Sequence, residues 1–404
     1  MNEKPSVLLV ITQDTKQDEA RFVRQTLESA GVEVVHLDPS VRRSVGGAEI
    51  SPEHVAEAAG HTIEAVRALG HEGKCQAVMI EGSIKAAHAW HAAHPVSGVL
   101  AVGGSMGTAL AGALMQSLPY GLPKLIISTM ASGFTAPYVG VKDIAMLNAV
   151  TDIAGINSIS REVFRNGALA VAGMAKGYDP ARGADRPLVL MTTLGTTEQG
   201  TRRIRQALEA DGAEVMVFHS SGAGGATLDS IAAERDVTLV LDLSVTEIID
   251  HLNHGLADGG PDRGKAGMAR GVPTIWAPGN ADFIIAGPIG AARAQFPDTR
   301  YHQHNPQLTA VRTRLPELQA LADHLSVLVA DARGPVEVFT PLHGFSSHDS
   351  PTGHIQDTSL PGPFAEYLKQ MMPAHVPVTA VDAHFNDAAF ADAIIAAARR
   401  MMAA

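Results

Sequence analysis

The stretch SVLLVITQDTKQDEARFVRQTLESAGVEVVHL, Ser6–Leu37, decides the fold class. It opens with an apolar run, turns through polar residues, and continues as a helical pattern with Phe22, Val23 and Leu27 on one face. Gly31 stands where a helix C-cap is expected, and a second apolar run follows it. This order predicts a βαβ unit, in which a helix joins two parallel strands.

The same pattern returns at Pro187–Phe218, PLVLMTTLGTTEQGTRRIRQALEADGAEVMVF, at a constant offset of 181 residues and without a gap. We interpret the two stretches as a structural repeat, so that each half of the chain opens with a similar βαβ unit. Two further pairs of stretches show a weaker similarity. GAGGATL at 222–228 is similar to GGSMGTAL at 103–110, and YGLPKLIIST at 120–129 is similar to RGVPTIWA at 270–277.

Alternating strand and helix patterns in both halves predict an α/β protein with two Rossmann-like domains and largely parallel sheets. A length of 404 residues is ample for two domains. The stretch Gly177–Pro187 combines glycine, proline and charge without apolar periodicity, and is the predicted linker. We therefore predict a nucleotide-binding domain at residues 1–183 and a second domain at residues 184–404.

Composition excludes several classes of partner. A net charge of −11 and an aromatic content of 4% argue against nucleic-acid binding, which requires basic surfaces and stacking rings. No apolar run reaches the ~18 residues of a membrane span, and the first residues lead directly into a strand without a separate signal region. The single cysteine, Cys75, precludes an internal disulfide. A reducing, cytoplasmic location without membrane association is expected.

The stretch Gly103–Gly107 is predicted to be the loop between a buried strand, Val96–Val102, and a helix, Thr108–Leu118. In open α/β sheets ligands bind at the carboxyl ends of strands, and glycines allow an anion to approach the free N–H groups of a helix amino end. The loop lacks the lysine of a Walker A sequence. Tight packing of strand against helix would also require glycine, so the sequence leaves both explanations open.

Further polar residues are predicted at the same sheet edge, after the first strand, after the strand Lys124–Ser128 and in the stretch Tyr138–Asp143 that follows. Hydroxyls, glycines and lysines together suit a polyanionic ligand, accompanied by a metal that a carboxylate holds. The predicted cofactor-binding residues are Asp14, Thr15, Lys16, Gly103, Gly104, Ser105, Gly107, Thr108, Ser128, Thr129, Ser132, Gly133 and Lys142.

The second half contains a comparable polar rim, residues 219–225 with Asp242 and Glu247, and many histidines. Imidazoles and carboxylates serve as acid–base groups and as metal ligands, but no metal motif of fixed spacing is present. For any single histidine a surface or capping role is the commoner case. His343 follows a predicted strand, and Asp382 and His384 follow another, so these three residues are the predicted catalytic group.

Several motifs, in this order, resemble the Tm-one-like ATP-binding protein family, named for a plant tobamovirus-resistance protein. They are DTK at 14–16, GGSMGT at 103–108, STMASG at 128–133, YVGVKD at 138–143, DIAGIN at 152–157, GPDR at 260–263, HNPQLT at 304–309 and DAHFND at 382–387. The resemblance covers nearly the whole chain. It implies two Rossmann-like domains, ATP with Mg²⁺ in the first domain, and a homodimer or higher oligomer.

Two departures from the family pattern concern the predicted sites. Met106 stands where the family usually has glycine, and His343 stands where it tends to have arginine after Pro-Leu. Two classes of function follow. The protein is an enzyme that binds ATP and acts on a small anionic metabolite in the cleft between its domains, or it is a non-catalytic binding or regulatory module controlled by ATP. The histidines favour the enzyme, whereas the lack of a recognised catalytic motif favours the module.

Overall fold

The computed structural model describes residues 4–180 and 186–403. The chain divides into two compact units, unit 1 at residues 1–182 and unit 2 at residues 183–404. The predicted boundary between residues 183 and 184, with the central part of the predicted linker, lies among residues 181–185, outside the described residues. Within the described part of the chain, no helix combines the length and the apolar character that crossing a bilayer requires.

Unit 1 is a sheet of five parallel strands with helices on both faces, in the order β2-β1-β3-β4-β5. Its elements are β1 (Ser6–Val10), α1 (Gln13–Ser29), β2 (Glu33–Leu37), α2 (Pro52–Ala58), α3 (Ile63–Ala68), α4 (Glu72–Ala93), β3 (Gly98–Gly103), α5 (Ser105–Gln116), β4 (Lys124–Ser128), α6 (Ala136–Val139), β5 (Ala145–Asn148) and α7 (Ser158–Gly177).

The alternation of side chains along each strand builds two cores in unit 1. Val7 and Leu9 of β1 pack into the core that α1 and α7 cover, whereas Leu8 and Val10 pack into the core that α4 and α5 cover. Successive strand residues point to opposite faces, so a strand buried on both faces must be apolar throughout. This explains why SVLLV carries no polar residue after its first.

Unit 2 contains six parallel strands in the order β14-β13-β9-β8-β6-β7 and a three-stranded antiparallel sheet, β10-β12-β11. Its elements are β6 (Leu188–Thr193), α8 (Glu198–Ala210), β7 (Glu214–His219), α9 (Gly224–Glu234), β8 (Leu239–Ser244), α10 (Thr246–Asn253), α11 (Lys265–Ala269), β9 (Thr274–Gly279), β10 (Phe283–Ala286), α12 (Ile289–Gln295), β11 (Tyr301–Asn305), β12 (Leu308–Arg312), α13 (Leu315–Ala330), β13 (Val336–Pro341), α14 (Pro361–Met371), β14 (Val378–Val381) and α15 (Ala388–Ala403).

The predicted α/β fold and the repeated βαβ opening are confirmed, since β1-α1-β2 and β6-α8-β7 occupy matching places in the two parallel sheets. The sequence similarity between residues 120–129 and 270–277 also corresponds to a structural equivalence, because β4 and β9 occupy the same place in their sheets. The similarity between residues 103–110 and 222–228, in contrast, does not reflect equivalent positions in the two sheets. The first stretch opens α5 after β3, and the second opens α9 after β7, which is the equivalent of β2. The small antiparallel sheet was not predicted.

Both parallel sheets have a point at which the chain reverses its direction of travel across the sheet. In unit 1 it lies between β1 and β3, and in unit 2 between the equivalent strands β6 and β8. The helices that follow two such strands diverge to opposite faces, which opens a crevice at the carboxyl ends of the strands. A ligand site is therefore expected at one or both of these crevices.

Candidate functional site

The crevice of unit 1 is an open pocket of about 660 Å³ at the carboxyl ends of β1 and β3, which we call the unit 1 pocket. Its wall contains residues that follow β1, residues that follow β2, and the first turn of α5. Seven of the predicted cofactor-binding residues line it: Asp14, Thr15, Lys16, Gly103, Gly104, Ser105 and Gly107.

The amino end of α5 points into this pocket without a cap from any side chain of the described residues. The helix begins at Ser105, so the predicted loop is in fact the last residue of β3, one connecting residue and the first turn of the helix. The amino end of α1 differs, because the N–H of Gln13 donates to Asp38 at 3.0 Å and to Ser40 at 2.9 Å. The positive end of the α5 dipole is therefore the one left to an external anion.

The glycines of this turn have different roles. A Cβ on Gly103 would lie 2.8 Å from the Cα of Gly107, so Gly103 is required for packing of β3 against α5. A Cβ on Gly104 would have Thr129 Oγ1, at 3.8 Å, as its nearest neighbour. The space beside Gly104 is therefore open. The packing explanation therefore applies to Gly103, whereas packing does not require a glycine at position 104.

Three cationic side chains line the unit 1 pocket although the chain carries a net charge of −11: Lys16, Arg42 and Arg67. Arg67 is fixed by a 2.7 Å hydrogen bond from its Nε to the carbonyl oxygen of Val41. The two arginines were missed by sequence reasoning. A signal was available, since both lie between β2 and α4, in a connection that must pass the carboxyl edge of the sheet.

Carboxylates are also present in the unit 1 pocket. Asp14 lies in the first turn of α1 and accepts the Arg42 N–H at 3.0 Å through Oδ2, while Glu72 lies at the start of α4. Among the described residues, no group of three His, Cys, Asp or Glu side chains is arranged to hold a metal ion by itself. A cation here would need further oxygen ligands from a bound molecule.

Apart from Lys142, the other predicted cofactor residues divide into three groups. Thr108 and Ser128 are buried and share a 2.6 Å hydrogen bond that ties α5 to β4, so their hydroxyls are structural. Thr129 lies beside Gly104, at the margin of the unit 1 pocket. Ser132 and Gly133 are exposed and lie outside its lining.

Lys142 lies at the opposite edge of the sheet, which corrects its predicted convergence with the other residues. Its Nζ donates to the Leu118 carbonyl oxygen at 3.3 Å and lies 4.0 Å from the centre of the Tyr120 ring. Both partners precede β4. The chain leaves β4 at its carboxyl end and must return to the amino edge before it enters the parallel strand β5, and Lys142 comes at the end of that return.

The glycine-rich rim of unit 2 is occupied by the protein itself. Glu247 Oε1 accepts the N–H groups of Gly222 at 2.8 Å and Gly225 at 3.1 Å, close to the amino end of α9. The buried Arg263 donates to Glu247 Oε2 at 2.7 Å and holds both oxygens of Asp242 at 2.8 and 2.9 Å. An internal carboxylate thus fills the place that an external anion would take, and this rim does not match the unit 1 pocket.

The crevice between β6 and β8 is likewise closed by internal side chains. Asn280 is fully buried and accepts hydrogen bonds from Ser244 Oγ at 2.7 Å and from Thr197 Oγ1 at 3.1 Å. Nearby, burial raises the pKa of Asp229 to about 6, an effect that the Arg263 guanidinium opposes. Unit 2 therefore retains the topology of the unit 1 crevice without its open space.

Of the predicted catalytic residues, the structure brings His343 and Asp382 together. They follow the neighbouring strands β13 and β14, which end in register at Pro341 and Val381. His343 Nε2 lies 2.7 Å from Asp382 Oδ1. Both side chains are exposed, and Nδ1 of His343 has no partner among the described residues. An imidazole oriented by a carboxylate in this way is a recurrent acid–base arrangement.

His384, the third residue of the predicted catalytic group, lines the same open space as His343, but both of its ring nitrogens are bound to the protein. Its Nε2 lies 2.9 Å from the Ser346 carbonyl oxygen, and its Nδ1 accepts the Asn386 N–H at 3.1 Å. The two bonds fix the neutral tautomer with the proton on Nε2 and leave neither nitrogen for a ligand.

A second open space, of about 690 Å³, lies at this end of unit 2, and we call it the unit 2 pocket. His343 lines it together with the connection between β13 and α14. That connection contributes the hydroxyls of Ser347, Ser350, Thr352 and Thr358. Sequence reasoning missed these residues, because a hydroxyl-rich loop carries no distinctive spacing.

Three further histidines pack on one another beside this connection. The rings of His302 and His354 are stacked at 4.1 Å between centroids, and the rings of His302 and His348 lie 4.6 Å apart. Burial, with the neighbouring histidines, lowers the pKa of His348 to about 4. The ring also meets the edge of Phe283 at 5.6 Å. His348 therefore packs here as a neutral ring.

The stability of the protein should depend on the protonation of His348. Because its pKa is lower in the folded than in the unfolded state, the unfolded chain gains the proton first as the pH falls from about 6.5 to about 4. We expect the stability of the wild type relative to His348→Phe to decline across that range. Urea unfolding of both proteins at several pH values measures this difference. The exposed His375→Phe is the control, and a pH-independent difference for His348→Phe would contradict the expectation.

Comparison with known proteins places both units in one family. The N-terminal domain model of the uncharacterised protein family UPF0261 matches residues 5–180, and its C-terminal domain model matches residues 186–402. A UPF0261 protein of Clostridium tetani is 33% identical over 402 residues, which cover 98% of each chain. A UPF0261 protein of Mesorhizobium japonicum is 32% identical over 392 residues, which cover 96% of this chain and 98% of that protein.

The comparison also finds the plant resistance protein that gave its name to the family resembled by the sequence motifs. The ToMV resistance protein Tm-1(GCR237) of Solanum lycopersicum is 29% identical over 424 residues, which cover 98% of this chain and 55% of that protein. The predicted kinship with the plant resistance protein is thereby confirmed. Since family models cover nearly the whole length of the chain, this protein belongs to the UPF0261 family.

Proposed function

We propose that the protein binds a nucleoside triphosphate, ATP, in the unit 1 pocket, with the phosphates at the amino end of α5. The observation that carries this proposal is the uncapped amino end of α5 facing Lys16, Arg42 and Arg67 in one open pocket. The N–H groups and the dipole of a helix amino end favour anions, and the three cations add to the same field. A pocket of about 660 Å³ is within the usual range for a ligand of this size.

The residues present also fit Mg²⁺ as a companion of the nucleotide. Mg²⁺ is usually bound through one or two carboxylates and the phosphates of the substrate, with water completing the shell. Asp14 is the carboxylate that would serve, because it lies in the same pocket as Gly104 and Lys16. When bound, the ion would neutralise phosphate charge. The protein would contribute the N–H groups of the first α5 turn and the three cationic side chains.

In the enzyme version of this proposal, unit 2 holds a small metabolite in the unit 2 pocket. His343 would exchange a proton with it through Nδ1, while Asp382 keeps the ring oriented through Nε2. The alternative is a non-catalytic module in which ATP stabilises a conformation that engages a partner. The kinship with a protein named for virus resistance favours this alternative. If no metabolite turnover depends on His343, the module is the better description.

The proposed nucleotide site predicts a specific loss of affinity. Gly104→Val places a side chain in the open space beside the α5 amino end and should weaken ATP binding at least tenfold, or ~1.4 kcal/mol. Isothermal titration calorimetry with Mg²⁺-ATP measures the change. Gly287→Val is the matched control, because its Cβ would meet nothing within 4 Å and it lies in unit 2. A folded Gly104→Val protein with wild-type affinity would rule out this phosphate position.

A further inference from the structure

The unit 2 pocket differs from the unit 1 pocket in its charge. Among the residues that line it, none is lysine or arginine, and Asp387 is the one carboxylate. Asp387 Oδ2 already accepts the His384 N–H at 2.8 Å. Asp382, which holds His343, adds a second negative charge at the edge. The lining itself therefore offers an anionic ligand no lysine or arginine, and Arg300 donates to the backbone carbonyl oxygen of one lining residue, Gln356.

The remaining polar lining consists of groups that both donate and accept hydrogen bonds. Hydroxyls come from Ser347, Ser350, Thr352 and Thr358, and side-chain amides come from Gln199 and Gln356, whereas the Asn386 amide is bound to Gly200 and Thr196. Such groups match the hydroxyls of a ligand, because a hydroxyl can donate or accept and an amide offers both a donor N–H and an acceptor oxygen. Leu342 and Pro351 are the apolar residues of the lining, and over the whole lining the apolar and polar surfaces are of similar extent, which also suits the C–H faces of a hydroxylated ligand. These properties suit a hydrophilic molecule without formal charge.

His343 provides an imidazole acceptor at this site that no other described residue uses. Because Nε2 lies 2.7 Å from a carboxylate oxygen of Asp382, which can only accept, Nε2 is the donor of that hydrogen bond, and Nδ1 of the neutral ring is an acceptor. His384, the other imidazole of the lining, uses both nitrogens in bonds to the protein. A ligand hydroxyl that donates to His343 Nδ1 would thus meet the only imidazole nitrogen of the lining that is available.

From these observations we propose that the unit 2 pocket binds an uncharged polyhydroxylated small molecule, of the class of sugars and sugar alcohols. One of its hydroxyls donates to His343 Nδ1, and others pair with the serine, threonine and amide groups of the lining. This proposal rests on the proposed function of the unit 2 pocket, and it replaces the anionic metabolite predicted from the sequence with a neutral one. A pocket built for hydroxyl groups rejects molecules that lack them, since its own polar groups are then left unpaired.

The test is a calorimetric titration of the full-length protein with neutral polyols and with anions of similar size. The neutral set is D-glucose, D-ribose, D-mannitol and myo-inositol, and the anionic set is gluconate and glucarate. We expect at least one neutral compound to bind with a Kd of about 1 mM or tighter. His343→Ala should weaken that binding at least tenfold. The exposed His375→Ala, which lies outside the pocket, should leave it unchanged.

The outcomes separate this proposal from the one on which it rests. Binding confined to the anions and dependent on His343 would overturn the neutral ligand class and leave a metabolite site in unit 2. Binding of no compound, or binding insensitive to His343→Ala, would overturn the proposed polyol site, and Mg²⁺-ATP titrated into the same preparation would show independently whether the nucleotide proposal stands. Neutral binding without ATP binding would support the polyol site and refute the nucleotide site.

Discussion

Replacement of Arg263 by methionine is expected to lower the free energy of unfolding by about 3–5 kcal/mol, the usual consequence of removing one partner from a buried ion pair. Arg263 is 1% exposed, and its guanidinium contacts both Asp242 and Glu247. Methionine retains much of the length and volume of the side chain. The loss therefore reports the three carboxylates left without a counter-charge, Asp242, Glu247 and the more distant Asp229, and urea unfolding followed by circular dichroism measures it.

The matched control is Arg203→Met, which breaks a two-bond contact to Asp392 on the surface. Water solvates both partners there, so little change is expected. The Arg263 guanidinium opposes the burial that raises the pKa of Asp229 to about 6, so in the Arg263→Met protein that carboxyl should hold its proton still more strongly in the folded than in the unfolded state. The deficit of this protein should then grow as the pH rises from about 4 through about 6. Equal effects of the two substitutions would contradict the view that Arg263 compensates buried charge.

The second large effect is expected at Gly103, where alanine should cost about 1–3 kcal/mol of stability through overpacking. The new methyl group would lie 2.8 Å from the Cα and 2.9 Å from the carbonyl carbon of Gly107. Both atoms belong to the backbone of α5, so relief requires the helix to move away from β3. Thermal unfolding measured by calorimetry should show a lower midpoint for the Gly103→Ala protein.

Gly104→Ala is the adjacent control for this experiment. Its methyl group would have no atom closer than Thr129 Oγ1 at 3.8 Å, which is ordinary contact. Stability should remain near that of the wild type, while ATP affinity reports on the space that the methyl group takes. A loss of stability as large as that of Gly103→Ala would show that Gly104 is also required for packing. The space beside Gly104 would then not be open to an anion.

The sequence by itself determined the α/β class, the repeated βαβ opening and the placement of residues that directly follow strands. Asp14 and Lys16 come after β1, Gly104 comes after β3, and both positions line one pocket. His343 and Asp382 come after two strands that proved to be neighbours. Parallel strands in one sheet present their carboxyl ends at the same edge, so a position just after a strand is a local property that the pattern of residues reveals.

Only the tertiary structure decided which of these places is open. Glu247 fills the glycine-rich rim of unit 2, Asp38 caps α1, and the amino end of α5 is left without a side-chain cap from the described residues. Lys142 lies at the far edge because its segment is already returning to start β5. Such outcomes depend on strand order and on side chains that meet across long separations in the chain. The periodicity of apolar residues reflects interactions between residues that are close in the sequence. It does not reveal which distant carboxylate or arginine contacts a given helix end.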